Sequence, residues 1–274
     1  MKIGVLVLLK EQNMEEEIAR VREMGFDSFQ LNVWNTDLFT DEVAEIVNKA
    51  CSKYNVSIST FWCGWSGPAI WNFYDGPHTL GLVPEEYRFI RMKELMKGSD
   101  FAKRLGVENI ATHVGFLPEN PNTREYRSIV CSLRQVIGHC KNNGQYFLFE
   151  TGQETPITLR RTIEDIELDN IGVNLDTANL ILYGKAHPLD AIDIIGEYVR
   201  DIHAKDGCYP TDGKYLGKEK AIGEGIVNFP EVIKKLKKIG YDGPITIERE
   251  IKGEEQTRDI LKAKEFLADL IEKA

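Results

Sequence analysis

The sequence predicts a single (β/α)8 TIM barrel of the α/β class. Eight short apolar, β-rich runs are spread over the 274 residues, with helical patterns between them. Such nearly continuous apolar runs are typical of parallel strands covered on both faces. A helix, a glycine and the next strand follow one another at Gly25, Gly106 and Gly240. The alternative, an open doubly wound sheet, is disfavoured because no glycine-rich dinucleotide fingerprint follows the first run. We therefore expect one domain over residues 1–274.

The eight runs predict the barrel strands in chain order. They are residues 3–9, 26–33, 56–64, 109–116, 146–152, 171–179, 199–207 and 245–250. Between them we expect helices, among them 84–105, 123–143 and 229–239, and one that begins in a capping-box pattern at Asn13 and Glu16. Two longer segments, 65–84 and 208–228, follow the third and seventh runs. They lie at the carboxyl end of the barrel, where active sites of this fold are found.

Composition and charge exclude several classes of function. The formal net charge of -9 gives no drive to bind nucleic acid. No apolar run reaches the roughly 18 residues that indicate a membrane span. The first run ends at Lys10 and Glu11 without a cleavage site, so it predicts a buried strand rather than a signal peptide. The five cysteines form no CxxC pair and indicate reduced thiols, so we expect a cytoplasmic protein with no membrane or nucleic-acid partner.

Ionisable residues stand at the exits of the last four runs, directly after apolar residues. They are Glu150, Asp176, His203 and Glu248. Each alone also suits an ordinary structural role, such as a helix cap for Asp176 or a hydrogen-bonded core histidine for His203. Burying three carboxylates together is costly unless a cation lies among them. The set therefore predicts a divalent metal site, and it suits Mn²⁺, Mg²⁺ or Co²⁺ better than structural zinc.

The motifs around these residues resemble the xylose isomerase-like barrel superfamily, which includes ketose 3-epimerases. The matching pieces are FETG at 149–152, NLDTAN at 174–179, DIHAKD at 201–206 and the stretch 223–250. The resemblance covers essentially the full chain and is strongest in its second half. It implies one divalent metal held by Glu150, Asp176, His203 and Glu248. Mn²⁺ is the first choice, with Mg²⁺, Co²⁺ or Zn²⁺ as alternatives.

The same resemblance implies a sugar isomerase or epimerase of carbohydrate metabolism, assembled as a homodimer or homotetramer. Glu150 and Glu248 would be the acid/base pair. They would move a proton on a sugar or sugar phosphate through an enediolate.

Two departures from the ketose 3-epimerases leave the reaction open. Asn179 stands where that group usually has a histidine, and Tyr209 stands where it usually has an arginine. A lyase of the same fold, similar to inosose dehydratase, and a non-catalytic sugar-binding barrel therefore stay as alternatives. A three-metal site of the endonuclease IV kind is disfavoured, because only His113 matches one of its further histidines.

Several other residues are candidates for contacting the sugar. They are His113, Asn179, Lys205, Trp62, Trp65 and Arg249. The tryptophans, together with Trp71, would form a stacking wall or pack as core. Lys205 would orient a substrate oxygen or pair with Asp206 at the surface. Arg249 would pair with the substrate or with Glu150.

Two arginines and one glycine-rich turn are expected to have structural rather than functional roles. Arg88 and Arg91 lie early in a predicted helix, so we expect them to be solvated or ion-paired. The turn at Gly223-Glu224-Gly225 is a weak signal for a phosphate loop, because no glycine-rich helix start follows it.

Overall fold

The computed structural model describes all residues, 1–274, and contains ten strands. They are β1 (Lys2–Leu8), β2 (Ser28–Val33), β3 (Ser57–Cys63), β4 (Asn109–Thr112), β5 (Tyr146–Glu150), β6 (Ile171–Asp176), β7 (Val199–Ala204), β8 (Asp206–Cys208), β9 (Lys218–Lys220) and β10 (Pro244–Ile247). Strands β1 to β7 and β10 form a closed barrel in which β10 pairs with β1, and every barrel pairing is parallel. The predicted fold class is confirmed.

Helices alternate with these strands and cover the barrel. They are α1 (Met14–Glu23), α2 (Asp41–Tyr54), α3 (Gly76–Thr79), α4 (Glu85–Arg104), α5 (Arg124–Asn142), α6 (Pro156–Ile166), α7 (Asn179–Leu182), α8 (Pro188–Ile195), α9 (Phe229–Lys238) and α10 (Glu254–Lys273). Short 3-10 turns lie at Thr36–Leu38 and Gly196–Tyr198. None of the helices combines the length and apolarity needed to cross a bilayer. All five cysteines are free thiols.

The helix ends follow the sequence signals with one exception. The expected helices α4, α5 and α9 begin and end within one residue of their predicted bounds. Thr123 caps α5, since its hydroxyl accepts a hydrogen bond from the Tyr126 N–H. The capping box at Asn13 is wrong: Asn13 has a left-handed backbone (φ 73°), and its side chain makes no capping hydrogen bond.

A buried arginine holds the long segment 65–84 over the barrel mouth. Arg91 is fully buried, and its guanidinium donates hydrogen bonds of 2.7–3.0 Å to four backbone carbonyls of this segment. Arg88 is also buried and donates to the carbonyls of Leu82 and Val83. The expectation that both arginines are solvated or ion-paired is wrong, because backbone oxygens satisfy them instead.

The other long segment is organised by Asp206. Strands β8 and β9 form an antiparallel hairpin that the sequence did not indicate. The Asp206 carboxylate accepts hydrogen bonds from the N–H groups of Gly207, Gly223, Gly225 and Val227, at 2.8–3.1 Å. These donors are therefore already used, which removes the interpretation of the turn as a phosphate loop. The two long segments also meet over the barrel mouth, where the Phe73 N–H donates to the carbonyl of Lys214.

Candidate metal and substrate site

Four side chains converge at the carboxyl end of the barrel. Glu150 ends β5, Asp176 ends β6, His203 lies in β7, and Glu248 directly follows β10. One ligand atom from each lies within 4.8 Å of the others. The first three side chains are buried, and Glu248 is 12% exposed. Two ligands on opposite sides of one cation, each bound at about 2.0–2.2 Å, lie roughly 4.0–4.4 Å apart, so small side-chain shifts would bring all four groups onto a single ion.

Two buried atoms at the centre of this group make no hydrogen bond: Asp176 Oδ2 and His203 Nδ1. Buried polar atoms are nearly always satisfied, so a carboxylate oxygen and an imidazole nitrogen without a protein partner fit the ligands of a metal cation. The other oxygen of Asp176 accepts the N–H groups of Ala178 and Asn179, at 2.8 and 2.7 Å. Asp176 therefore both caps α7 and presents a free oxygen to the site.

A neutral side chain orients the histidine. His203 Nε2 lies 2.7 Å from Oε1 of Gln30, and the Gln30 amide nitrogen donates to Asp201 at 3.2 Å. Because that donation points the amide oxygen of Gln30 towards His203, Nε2 carries the proton and Nδ1 faces the carboxylates.

The carboxylates also control the charge of this histidine. Burial lowers the pKa of His203, but the charges of Glu248 and Glu150 outweigh it and hold the pKa well above the usual value. The raised pKa favours a second ring proton, on Nδ1. A metal ion bound to Nδ1 would displace that second proton.

Glu150 is held from several directions. Trp62 Nε1 donates to its Oε2, and His113 Nε2 lies 3.3 Å from its Oε1. The Asn179 amide approaches the same oxygen at 3.5 Å. Burial raises the pKa of Glu150, but His113 and His203 outweigh it and hold that pKa well below the usual value. Burial lowers the pKa of His113, but the charge and contact of Glu150, together with the charges of Glu154 and Asp176, hold that pKa above the usual value. Glu150 is therefore a fixed carboxylate.

Glu248 has a different neighbour. Lys205 Nζ lies 3.4 Å from Glu248 Oε2, 2.7 Å from Glu250 Oε2 and 3.4 Å from Asn179 Oδ1. Lys205 is buried, which lowers its pKa, but Glu248 and Glu250 raise that pKa well above the usual value. The expected alternative, a surface pair between Lys205 and Asp206, is wrong. The ammonium group of Lys205 instead lies inside the site, where it supplies a fixed positive charge.

A cavity of about 380 Å³ opens onto these groups. Of the sequence candidates, its walls include Trp62, Trp71, His113, Asn179, Lys205, Glu150 and Glu248. The sequence reasoning missed Asn32, Trp34, Leu182, Tyr183, Leu216 and Glu250. Asn32 and Trp34 lie at the exit of β2. The pattern that identified the later ligands, a functional side chain at the carboxyl end of an apolar strand, is therefore also present at β2. It was missed because Asn32 and Trp34 do not ionise.

Two of the six residues expected to contact the sugar, Arg249 and Trp65, do not line this cavity. Arg249 donates to Asp259 at 2.8 Å and pairs with Glu219 at 3.1 Å, so the expected pairing with Glu150 is wrong.

Trp65 is only 2% exposed and packs on the guanidinium of Arg91, 4.0 Å from its ring centroid. Its ring also contacts Trp34, with 5.2 Å between the centroids. Trp34, rather than Trp65, faces the cavity.

Comparisons with known proteins agree with this geometry. A family model described as xylose isomerase-like TIM barrel matches residues 18–270. The crystal structure of a xylose isomerase domain protein from Planctomyces limnophilus is 33% identical, with a TM-score of 0.93, and the match covers 99% of this chain and 98% of that one. A D-tagatose 3-epimerase-like protein shares the fold at 24% identity and a TM-score of 0.77, over 99% of this chain and 97% of that one. An uncharacterised protein of Methanocaldococcus jannaschii is 26% identical over 99% of this chain and 90% of its own length.

Proposed function

The chain belongs to the xylose isomerase-like TIM barrel family, and we propose that it is a divalent-metal-dependent sugar isomerase or epimerase. The convergence of Glu150, Asp176, His203 and Glu248, with ligand atoms within 4.8 Å of one another, carries this proposal. Epimerase neighbours of the same fold support the reaction class. The expected homodimer or homotetramer and the cytoplasmic location stay predictions.

These four residues would hold one cation. Three carboxylates and one imidazole favour Mn²⁺, with Mg²⁺, Co²⁺ or Zn²⁺ as alternatives. When bound, the ion supplies positive charge that stabilises negative charge developing on neighbouring sugar oxygens.

Proton transfer falls to the two glutamates that line the cavity. One glutamate, as the carboxylate, removes a carbon-bound proton, and the other, as the carboxylic acid, donates a proton to the opposite face, which gives epimerisation. Return to the neighbouring carbon gives isomerisation. Glu150 is fixed by Trp62 and His113, whereas Glu248 is partly exposed and contacts the long side chain of Lys205. Glu248 therefore has more freedom to approach the substrate carbon.

The remaining wall would bind the sugar. Trp34, Trp62 and Trp71 offer aromatic surface, and Lys205 and Asn179 offer hydrogen-bonding groups. Asn179 links Glu150 to Lys205, since its amide nitrogen approaches Glu150 and its oxygen accepts from Lys205. Ketose 3-epimerases usually have a histidine at the position of Asn179 and an arginine at that of Tyr209. We infer that Asn179 and Lys205 make the substrate contacts of those two residues in this chain.

The test is solvent deuterium incorporation into a panel of ketoses and aldoses by the Mn²⁺-loaded protein. At least one sugar should gain deuterium at a carbon next to its carbonyl. Glu150→Gln should remove that exchange, and the surface variant Glu265→Gln, at an exposed position of α10 away from both cavities, should keep it. A metal-loaded protein that exchanges no sugar in the panel would contradict the proposal.

A second candidate is a lyase that begins with the same proton removal. The ammonium of Lys205, 3.4 Å from Glu248, favours it because a protonated group next to the base can assist a leaving hydroxyl. An unsaturated or deoxy product in place of an isomer would select this reaction.

A further inference from the structure

The catalytic cavity is open on the side where the last barrel strand meets the first. A second cavity of about 330 Å³ adjoins it. Four residues line both spaces: Asn32, Trp34, Glu248 and Glu250. The two spaces therefore meet at the exits of β2 and β10, beside one of the two proposed acid/base residues.

The second cavity has a mixed wall. It passes over the end of β1, where Leu6 and Leu8 line it, and reaches Ile251 and Gln256 on the far side. Half of its lining residues are hydrophobic. Its volume lies at the lower end of the roughly 300–1,000 Å³ of small-molecule sites, as does that of the first cavity.

A buried acceptor without a donor stands at the junction. Asn32 is 8% exposed, and its Oδ1 is buried without a hydrogen-bond partner. An unsatisfied buried acceptor is unfavourable, because it has lost its hydrogen bonds to water without gaining a protein donor. A ligand hydroxyl at the junction would supply the missing donor.

An aromatic platform stands beside this acceptor. The ring of Trp34 lies 4.8 Å from that of Trp62 and 6.3 Å from that of Trp71, measured between centroids. Trp34 thus extends the aromatic wall of the first cavity into the second.

We propose that the second cavity is a subsite for a second sugar ring, and that the substrate is a ketose carrying a glycosyl substituent. This rests on the proposed function, which places the reacting ring in the first cavity. An aromatic face next to an amide acceptor suits a ring with both C–H and hydroxyl groups. Glu248 and Glu250 disfavour an anionic substituent at the junction itself, and Arg249 is already paired with Glu219 and Asp259. Lys10, Arg20 and Lys252 line the rest of the cavity, so the test includes a phosphorylated ketose.

The test compares the binding of one-ring and two-ring ketoses. Calorimetry on the Mn²⁺-loaded protein would use fructose, fructose 6-phosphate and three ketose disaccharides that differ in linkage: lactulose, isomaltulose and turanose. At least one disaccharide should bind about tenfold more tightly than fructose. Leu8→Trp, which places a large ring in the second cavity, should remove that preference. Leu8 is 41% exposed, so the chain tolerates the larger side chain there.

Ile157→Trp on α6 is the matched control, since Ile157 is 52% exposed and lines neither cavity. It should keep the disaccharide preference. The subsite is overturned if no disaccharide binds more tightly than fructose, if Leu8→Trp keeps the preference, or if fructose 6-phosphate binds most tightly of all. Deuterium exchange on the same sugars reports separately on the proposed reaction. A disaccharide preference without exchange would contradict the catalytic proposal and leave the subsite in place.

Discussion

The two sides of the catalytic cavity come from different halves of the chain and carry different chemistry. The exits of β2 and β3 and the segment after β3 supply an aromatic side, with Trp34, Trp62 and Trp71. The exits of β5, β6, β7 and β10 supply a charged side. Its members are Glu150, Asp176, His203, Lys205, Glu248 and Glu250. Under the proposed function, one half of the barrel would provide surface for binding, and the other would provide the groups that hold charge and move protons.

The two sides are joined at few points. Trp62 Nε1 donates to Glu150, and the His203 ring is held by Gln30, which lies in β2. The first half of the barrel therefore also orients the reactive groups of the second. The predictions below separate binding, orientation and proton transfer.

The largest expected effect is on the charged side. Glu150→Gln and Glu248→Gln should each lower kcat by about 10²–10⁴, because each removes a general acid or base. Unchanged circular dichroism would show that the barrel is intact. The division between the two sides breaks if either variant keeps near-normal kcat.

The second effect tests orientation across the barrel. Gln30→Leu removes the acceptor of the His203 Nε2 proton, so the affinity for Mn²⁺ should fall by about 10–100-fold. Calorimetry with Mn²⁺ measures this without turnover. Gln30→Glu keeps an acceptor at that position and should retain more of the affinity than Gln30→Leu. Equal affinities for both variants and the parent protein would show that Gln30 only packs.

A smaller effect is expected on the aromatic side. Trp71→Ala removes a partly exposed ring of the cavity wall and should raise KM by about threefold to tenfold, with kcat nearly unchanged. Tyr74→Ala, at a 65% exposed position of the same segment, is the control and should change neither constant. A fall in kcat for Trp71→Ala would mean that the aromatic side takes part in the chemical step.

The last effect concerns pH and stability rather than turnover. Burial raises the pKa of Glu154 from 4.5 to about 7. The folded state then binds the Glu154 proton more tightly than the unfolded state does. The stability that this proton contributes is complete below pH 4.5, and it is lost as pH rises through 7. Glu154→Gln should match the parent protein near pH 4.5 and exceed it by about 3 kcal/mol above pH 7. Denaturant unfolding of chelator-treated protein at both pH values measures this, and a difference that does not change with pH would contradict it.

The sequence predicted the charged side better than the aromatic side for a physical reason. Ionisable residues directly after apolar strands are costly to bury, and four of them at matching strand exits are hard to explain one by one. The convergence of Glu150, Asp176, His203 and Glu248 could therefore be predicted from one chain. Tryptophans after strands occur in cores as often as in sites. Whether Trp34 or Trp65 faces the cavity depends on the position of Arg91.

Several features of the structure correspond to no sequence pattern. Arg91 is satisfied by backbone carbonyls, which any residue can supply. The second cavity depends on how the exits of β1, β2 and β10 meet in space. Glu250 and Asn32 follow or end strands as the predicted ligands do, but their spacing matches no metal or catalytic motif.

The most direct test of the metal site is a crystal structure of the Mn²⁺-soaked protein with anomalous data. One Mn²⁺ per chain should lie about 2.0–2.4 Å from Glu150, Asp176 Oδ2, His203 Nδ1 and Glu248. An ion bound elsewhere, or no ion among these four side chains at saturating Mn²⁺, would contradict the proposed metal site.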